Sequence, residues 1–340
     1  MGQGTGDDRD DGHLPHLPAD GGRAFVTDHT NACRTLLYDI RNLGRDDELC
    51  RSFGVPTQAL PKVLSSDAVF GETTLEGLLP RALPICGVMG DSQAALFAQR
   101  CYRPGSTKVT FGTGSSVLVN VGPELRPSQS GIVSTVAWGL AGKRTYALEG
   151  IINCTGATIT WLKDRLGLID DPAQTEALAA SVPDNGGVHL VPAFVGLGAP
   201  YWSQDSRAAI VGLTQHSSRS HIVRAALESI AYQVRDVLDS IVADAGLSVN
   251  VIHADGGMVS NKLLMQFVAD ITGVRLKASA TAELSALGAV LAGCLGMGIY
   301  GSQGELEGLP MDSNEYTPGM CQDLRQQYCE GWKQAVRRVL

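Results

Sequence analysis

The strongest hydrophobic pattern in the chain lies between residues 218 and 246. Apolar side chains recur there at steps of three and four residues, from Ile222 and Leu227 through Ile230 to Ile241. This spacing predicts a long amphipathic helix. The many alanines in the same stretch indicate close packing on both sides, so we expect this helix to be central to its domain.

Shorter stretches predict the other elements. Helices are predicted at NACRTLLYDIRNLG, DDELCRSFG, SQAALFAQRC, CTGATITWLKDRLGL, KLLMQFVADITG, ALGAVLAGCLGMGIY and CQDLRQQYCEGWKQAVRRVL. Strands are predicted at PICGVM, residues 108–111 and 116–121, STVAWGL, KRTYALEG, VHLVPAF and VNVIHA. Residues 108–111 and 116–121 form a hairpin, and the long loop VGLGAPYWSQDSRA is a functional candidate because of its length. Strands that alternate with helices but include hairpins predict α/β layers around a mixed sheet.

Composition narrows the class of protein. At 340 residues the chain is long enough for two domains. Its net charge of −8 and the lack of any Lys or Arg run argue against a nucleic-acid or anionic-membrane partner. The apolar runs fall short of a membrane span and the acidic start is not a secretory signal, so we predict a soluble, cytoplasmic protein.

Residues 1–22 carry almost no apolar side chains and are predicted to be disordered. The eight cysteines include no C-x-x-C pair, so we predict reduced thiols and no metal site.

Asp91 is the first candidate for chemistry. It follows Gly90 between the predicted strand PICGVM and the predicted helix SQAALFAQRC. A carboxylate at such a junction is either the N-cap of the helix or a general base above a cleft, because ligands of α/β sheets bind at strand ends. The local pattern alone favours the cap.

Two glycine turns are candidates for binding an anion or a nucleotide. Thr113 lies in FGTGSS, where the glycines leave backbone N–H groups free to face an anion, although an ordinary hairpin turn has the same pattern. The dinucleotide fingerprint does not fit, because GTGSSV lacks the third glycine and no helix follows. The DGG at 255–257 ends a predicted strand, and a helix with Ser260 or Asn261 in its first turn follows at once. That arrangement either presents donors and a positive helix end to a nucleotide or is a tight turn.

Together these stretches resemble the FGGY carbohydrate kinases, and within that family the members that phosphorylate glycerol. The resemblance runs from about Gly22 to about Tyr300. Its motifs are VTDHTNACRTLLYDI, GDSQAALFAQ, KVTFGTGSSVLVN, ALEGIINCTGATITWL, VPAFVGLGAPYW, ALESIAYQVRDVLD, DGGMVSNKLLMQFVADI and ELSALGAV. The resemblance implies an α/β, actin-like ATPase (ribonuclease H-like) fold. It also implies two domains and a cleft in which ATP, with Mg²⁺, phosphorylates a polyol or sugar hydroxyl.

The resemblance further implies roles for single residues. Asp91 corresponds to the catalytic base that accepts the proton of the attacked hydroxyl, in a step that depends on positioning and charge neutralisation. Asp91, Ser92 and Ser116 occupy substrate-binding positions. Six more residues correspond to nucleotide-binding positions: Thr113, Gly156, Thr160, Gly257, Met258 and Asn261.

Ser92 and Ser116 depart from the glycerol-specific members, which usually carry Gln and Phe at these positions. Both changes shorten a wall of the substrate pocket and add a hydroxyl. Glycerol, converted to glycerol 3-phosphate, is therefore the implied substrate, and a longer polyol or a ketose is the alternative.

Compared with family members, the chain is expected to lack roughly the first third. We expect residues 23–100 to be part of the N-terminal substrate domain and residues 101–340 to be the complete C-terminal nucleotide-binding domain. Without its missing strands, the first part should expose apolar surface around TLLYDI and PICGVM. The chain alone is then an inactive or weakly active polyol kinase. The alternatives are a non-catalytic nucleotide-binding or homo-oligomer-forming module and, disfavoured by the failed fingerprint, a nicotinamide-dependent oxidoreductase.

Overall fold

The computed structural model describes residues 24–340, so the predicted disorder of residues 1–22 lies outside the described residues. The described chain divides into two compact units. The first unit holds the described residues up to Arg100, together with Thr135–Tyr146 and Ser285–Leu309. The second unit holds Cys101–Ser134, Ala147–Leu284 and Pro310–Leu340.

Short elements make up the chain as far as residue 100. They are β1 (Val26–Asp28), α1 (His29–Ala32), β2 (Tyr38–Asp39), β3 (Gly44–Arg45), α2 (Asp47–Ser52), β4 (Lys62–Leu64), β5 (Val69–Thr73), β6 (Leu83–Cys86) and α3 (Asp91–Ala98). β1 and β4 pair in parallel, whereas β2–β3 and β5–β6 are antiparallel pairs.

Longer elements follow. They are β7 (Thr107–Phe111), β8 (Ser115–Gly122), β9 (Val133–Leu140), β10 (Lys143–Ile152), α4 (Gly156–Asp164), α5 (Gln174–Ala180), β11 (His189–Val191), β12 (Ala209–Val211), α6 (Arg219–Ala245), β13 (Val251–Asp255), α7 (Lys262–Thr272), β14 (Arg275–Ser279), α8 (Leu284–Gly296), α9 (Gln303–Glu307), β15 (Ser313–Tyr316) and α10 (Gln322–Val336). Seven strands form one sheet in the order β15-β14-β13-β7-β8-β10-β9. β7, β13 and β14 run parallel, whereas β7–β8 and β14–β15 are antiparallel, which confirms the predicted mixed α/β sheet.

The long helix α6 is central to the second unit, as its sequence predicts. It ends at Gly246, whose φ of 61° is a left-handed helix cap that glycine adopts without strain. Its buried face packs against β8, β11, α4, α5 and α7. At one contact the approach is so close that a Cβ on Gly150 would lie 2.2 Å from a methyl of Val237. Glycine in β10 therefore allows this helix to lie directly on the sheet.

The glycine-rich helix α8 packs closely within the first unit. A Cβ on Gly288 would lie 1.9 Å from the carbonyl oxygen of Ala94, and one on Gly296 would lie 2.0 Å from that of Asp67. No side chain larger than hydrogen fits at either position. The two glycines thus let α8 rest on the backbone of α3 and of the loop before β5.

The predicted helix NACRTLLYDIRNLG is wrong over most of its length. The helical residues there end at Ala32, and the following turn passes through Leu36 at a φ of 60° before β2 begins. The Thr35 hydroxyl donates to the carbonyl of Ala32 at 2.8 Å, an arrangement that competes with helical hydrogen bonding. The apolar spacing therefore belongs to a turn and a short strand. The sequence also gives no prediction for α5, α9, β12, β14 or β15.

The apolar exposure expected in the first unit is found at one residue of the two segments. Leu36 in TLLYDI is 73% exposed, whereas Leu37 and Tyr38 are buried. In PICGVM, Val88 is buried and Ile85 is half-buried, so the expectation is not met there. All eight cysteines are free thiols. Among the helices that the structure describes, none has both the length and the apolar character needed to cross a membrane.

Candidate functional site

Asp91 is the first residue of α3, and the residue before it, Gly90, is the N-cap. The N-cap interpretation of Asp91 is therefore wrong. Its exposed carboxylate accepts the backbone N–H of Ser92 at 2.6 Å, and Ser92 itself is half-buried. A negative charge in the first turn of a helix is stabilised by the positive end of the helix dipole. The carboxylate thus lies at the surface of the first unit, in the first turn of α3.

A buried hydrogen-bond chain fixes the backbone before Asp91. Asp28, fully buried at the end of β1, accepts the hydroxyls of Thr30 at 2.8 Å and Ser66 at 2.7 Å. The Thr30 oxygen in turn accepts the N–H of Gly90 at 2.7 Å. Hydrogen bonds to a carboxylate are stronger than those between neutral groups. The start of α3 is therefore tied to the end of β1.

The turn between β7 and β8 presents two unused donors. Within the described residues, no protein acceptor faces the backbone N–H groups of Thr113 and Gly114. The carbonyls of the turn are occupied instead. That of Gly112 accepts the N–H of Gly156, and that of Thr113 accepts the N–H of Ala157, each at 3.0 Å. The carbonyl oxygens of the turn, which carry partial negative charge, are thus bonded within the protein. Two N–H groups, which carry partial positive charge, remain available to an anion.

The start of α4 is fitted to this turn. A Cβ on Gly156 would lie 2.6 Å from the carbonyl oxygen of Gly112, so glycine is needed for the helix to reach it. The buried hydroxyl of Thr155 adds a bond to the same carbonyl at 3.0 Å. The two elements therefore form one rigid corner.

The six predicted nucleotide-binding residues line a single pocket of about 530 Å³ in the second unit. Its lining consists of Phe111, Gly112, Thr113, Gly156, Ile159, Thr160, Pro172, Ala173, Thr175, Glu176, Gly257, Met258, Ser260 and Asn261. A Cβ on Gly257 would meet no atom within 4 Å, so this glycine leaves open space. Next to it, Gly256 has a φ of 95°, and a Cβ there would lie 2.3 Å from the carbonyl of Phe111. The DGG turn thus approaches β7 closely and keeps the pocket open.

Asn261 connects two walls of the pocket. It is the N-cap of α7, where its side-chain carbonyl oxygen accepts the backbone N–H of Leu264 at 2.9 Å. Its amide nitrogen donates to the hydroxyl of Thr175 at 3.2 Å. The predicted helix start at Asn261 is therefore confirmed, although a short 3₁₀ turn, Gly257–Ser260, separates the glycines from α7.

The sequence-based prediction does not include the wall formed by Pro172, Ala173, Thr175 and Glu176. These residues lie at and before the start of α5, a seven-residue helix too short to show a clear apolar period. A signal was present in the segment DPAQTE, since Pro and acidic residues are typical of a first helical turn.

Ser116 lies on β8, outside the pocket lining. Its hydroxyl donates to the carboxylate of Glu149 on β10 at 2.9 Å, and Glu149 is buried. Because this bond uses the hydroxyl proton, the Ser116 oxygen is left as an acceptor towards any further partner.

The long loop after β11 is anchored to a buried carboxylate. Asp236 on α6 accepts the hydroxyl of Tyr201 at 2.8 Å and the indole N–H of Trp332 at 2.6 Å. Burial raises the pKa of Asp236 to about 6, because the charged form loses hydration that the two donors do not fully replace. The loop also lies against the end of β10, where a Cβ on Gly198 would lie 2.3 Å from the carbonyl of Ile151. Its position beside the strand that leads into α4 is therefore fixed.

Over residues 24–340, no group of three or more His, Cys, Asp or Glu side chains is arranged to hold a metal ion. Mg²⁺ in nucleotide enzymes is bound largely by substrate phosphates and water, with one or two carboxylates, so it does not require such a cluster.

Two family models match the chain. The C-terminal domain model of the FGGY family of carbohydrate kinases matches residues 107–297, and the N-terminal domain model matches residues 20–98. A glycerol kinase of Desulfitobacterium hafniense is 48% identical over 319 residues, which are 94% of this chain and 65% of the relative. Glycerol kinase 1 of Thermotoga maritima is 47% identical with the same coverage. The chain thus spans just under two thirds of the length of these relatives.

Solved structures are similar as well. The glycerol kinase of Plasmodium falciparum, solved with ADP, superposes with a TM-score of 0.88 at 36% identity, covering 95% of this chain and 65% of that chain. A xylulose kinase from Brucella ovis superposes with a TM-score of 0.82 at 20% identity, covering 94% of this chain and 65% of that one. The second likeness concerns the fold alone.

Proposed function

Because the chain belongs to the FGGY family of carbohydrate kinases, we propose that it is the nucleotide-binding part of an ATP-dependent polyol kinase. Its α/β fold is the actin-like ATPase fold of that family, as the sequence predicts. The proposed reaction transfers the γ-phosphoryl group of ATP to a hydroxyl of glycerol and gives glycerol 3-phosphate and ADP.

The observation that carries this proposal is the pocket of the second unit. Two unused N–H groups, at Thr113 and Gly114, lie in its lining turn next to the start of α4. Free backbone N–H groups at a glycine turn are a usual way in which proteins hold phosphate groups. We assign the second unit to the nucleotide, and the described residues up to 100 to the substrate part.

Asp91 is the proposed base in the transfer step. It accepts the proton of the attacked hydroxyl while that oxygen forms the new bond to phosphorus and ADP departs. Ser92 and Ser116 are proposed to contact the polyol. When bound with ATP, Mg²⁺ neutralises phosphate charge. The proposal includes a cytoplasmic location, because ATP is an intracellular nucleotide.

Nucleotide binding can be tested on this chain directly with Gly257→Val. The valine side chain enters open space beside the pocket, so it should block MgATP and leave the fold intact. Gly44→Val is the matched control, because Gly44 also has no atom within 4 Å of its Cβ position but lies in the first unit. Isothermal titration calorimetry should show binding to the wild type and to Gly44→Val, with binding to Gly257→Val weakened at least about tenfold. Absence of MgATP binding to the folded wild type would refute the proposal.

The substrate can be tested by ADP release with a panel of glycerol, longer polyols and ketoses. The chain is assayed alone and together with the N-terminal part of the Desulfitobacterium hafniense relative. Glycerol should give the highest kcat/KM in the active preparation. MgATP binding without turnover in either preparation would favour the non-catalytic module instead.

A different sugar or polyol is the second candidate, and Ser116 is the observation that favours it. Its oxygen is left as an acceptor by the bond to Glu149, which suits an additional substrate hydroxyl. Ser116→Phe should then shift the ranking of the panel towards glycerol. An unchanged ranking would count against contact between Ser116 and the substrate.

A further inference from the structure

The pocket of the second unit contains a charge that does not suit a polyanionic ligand. Among the described residues that line it, Glu176 alone has an ionisable side chain. A carboxylate and a phosphate oxygen are both negatively charged, so they repel each other at short distance. A nucleotide in this pocket must therefore keep its phosphates away from Glu176.

Glu176 is held in place by the neighbouring helix. One carboxylate oxygen accepts the backbone N–H of Lys262, the first residue of α7, at 3.0 Å. The adjacent Thr175 accepts the side-chain amide of Asn261, so two consecutive residues of α5 are bonded to the start of α7. The side chain of Glu176 is half-buried, and its second oxygen has no partner among the described residues. One oxygen thus fixes the carboxylate and the other remains available.

The pocket therefore has two chemically different ends. At the turn of Thr113 and Gly114, unused N–H groups can donate to an acceptor. At Glu176, an unused carboxylate oxygen can accept from a donor, and a carboxylate has no proton to give. A nucleoside triphosphate has the matching asymmetry, with acceptors on its phosphates and donors on its ribose hydroxyls and on the amine of its base.

We propose that Glu176 recognises the nucleoside end of the nucleotide by accepting a hydrogen bond from one of these donors, a ribose hydroxyl or the exocyclic amine. Glu176 is then a specificity-determining residue and sets the direction in which the nucleotide lies. The inference rests on the proposed nucleotide binding and goes beyond it in naming the group that selects the ligand.

The test is calorimetric binding of MgATP, 2′-deoxy-ATP, 3′-deoxy-ATP and ITP to the wild-type chain and to Glu176→Gln. The glutamine carbonyl can still accept the N–H of Lys262, but the group facing the ligand becomes a donor. Glu330→Gln is the matched control, because it removes an exposed carboxylate of the second unit that lies on α10 and not in this pocket. If Glu176→Gln does not fold, Glu176→Asp keeps the charge and shortens its reach.

The wild type should bind one class of analogue about tenfold or more weaker than ATP, and Glu176→Gln should lose that preference together with a similar factor in ATP affinity. Discrimination against a deoxy analogue identifies the ribose as the donor, and discrimination against ITP identifies the amine. Equal ATP-to-analogue ratios in the wild type and Glu176→Gln, with ATP bound by both, would overturn the inference and leave the proposed function standing. A folded wild type that binds no ATP would overturn both.

Discussion

Asp236 joins three parts of the second unit through one carboxylate oxygen. The residue is 8% exposed, and its partners are Tyr201 in the long loop and Trp332 in α10. Burial raises its pKa to about 6, so the native state binds a proton at a pH where the unfolded chain has already released it. The free energy of unfolding therefore falls as the pH rises from about 4 to about 6, because the buried carboxyl group of the native state must then lose its proton.

Asp236→Asn should remove this dependence. The amide oxygen can accept both hydrogen bonds, and the variant has no proton to lose. We expect its stability relative to wild type to rise by on the order of 3 kcal/mol between pH 4 and pH 7. Urea unfolding at several pH values measures the difference. Parallel stability curves for the two proteins would show that Asp236 does not titrate in this window.

At the scale of elements, α8 illustrates how packing overrides helix preference. Glycine is unfavourable within a helix by about 1 kcal/mol relative to alanine. Gly288 is nevertheless needed, because a Cβ there would lie 1.9 Å from the carbonyl oxygen of Ala94. The unfavourable helix propensity of this glycine is offset by the close contact that it allows between α8 and α3, the helix that begins at Asp91.

Gly288→Ala should lower the free energy of unfolding by about 1–3 kcal/mol, since overpacking against backbone cannot be relieved by a rotamer change. Gly304→Ala in α9 is the matched control, because the nearest atom to its Cβ position, the Ser302 hydroxyl oxygen, is 3.6 Å away. That variant should be unchanged or slightly more stable. Denaturant unfolding compares the two, and a Gly288→Ala protein as stable as wild type would contradict the packing argument.

The elements that the sequence predicts are those with a long or strict pattern. α6 and α7 show the three- and four-residue spacing over many turns, and β7–β8 shows two apolar runs around glycines. β15 is missed because the segment Ser313–Tyr316 is polar. It is a strand at the edge of the sheet, and its pairing partner β14 is brought next to it only by the tertiary fold. The TLLYDI segment is mispredicted because a turn at Leu36 gives leucines a helix-like spacing.

The candidate site was predictable to the extent that it consists of motifs. Thr113 and Gly257 are recognisable from their glycine turns and Gly156 from the family resemblance, and the structure brings all three into one pocket. Glu176 is not recognisable in this way. Its relevance depends on which wall α5 forms and on which of its oxygens Lys262 occupies, and neither follows from local pattern.

At the scale of the whole molecule, the described chain consists of two compact units, and the pocket belongs to the second. A ligand that binds the native state stabilises it by an amount that depends on its concentration relative to Kd. At a hundredfold excess over Kd the gain is about 2.7 kcal/mol.

MgATP should therefore slow hydrogen exchange in the second unit. We expect the strongest protection at the amides of Thr113 and Gly114 and at the first turn of α7. Thr113 lines the pocket, Gly114 belongs to the same turn, and α7 begins directly after the lining residue Asn261. Mass-spectrometric exchange with and without MgATP measures this. Protection confined to segments outside the pocket would place the nucleotide elsewhere.

The first unit is assembled from distant parts of the chain, and this affects how it is made. Ser285, whose hydroxyl donates to the carbonyl of Asp91 at 2.9 Å, lies 194 positions later. A ribosome that adds roughly 5–20 residues per second produces it roughly 10–40 s after Asp91. During that interval the nascent α3 lacks the helix that covers it. Asp91 therefore acquires its final surroundings late in synthesis. A ribosome stalled before α8 would leave α3 accessible to chaperones and proteases.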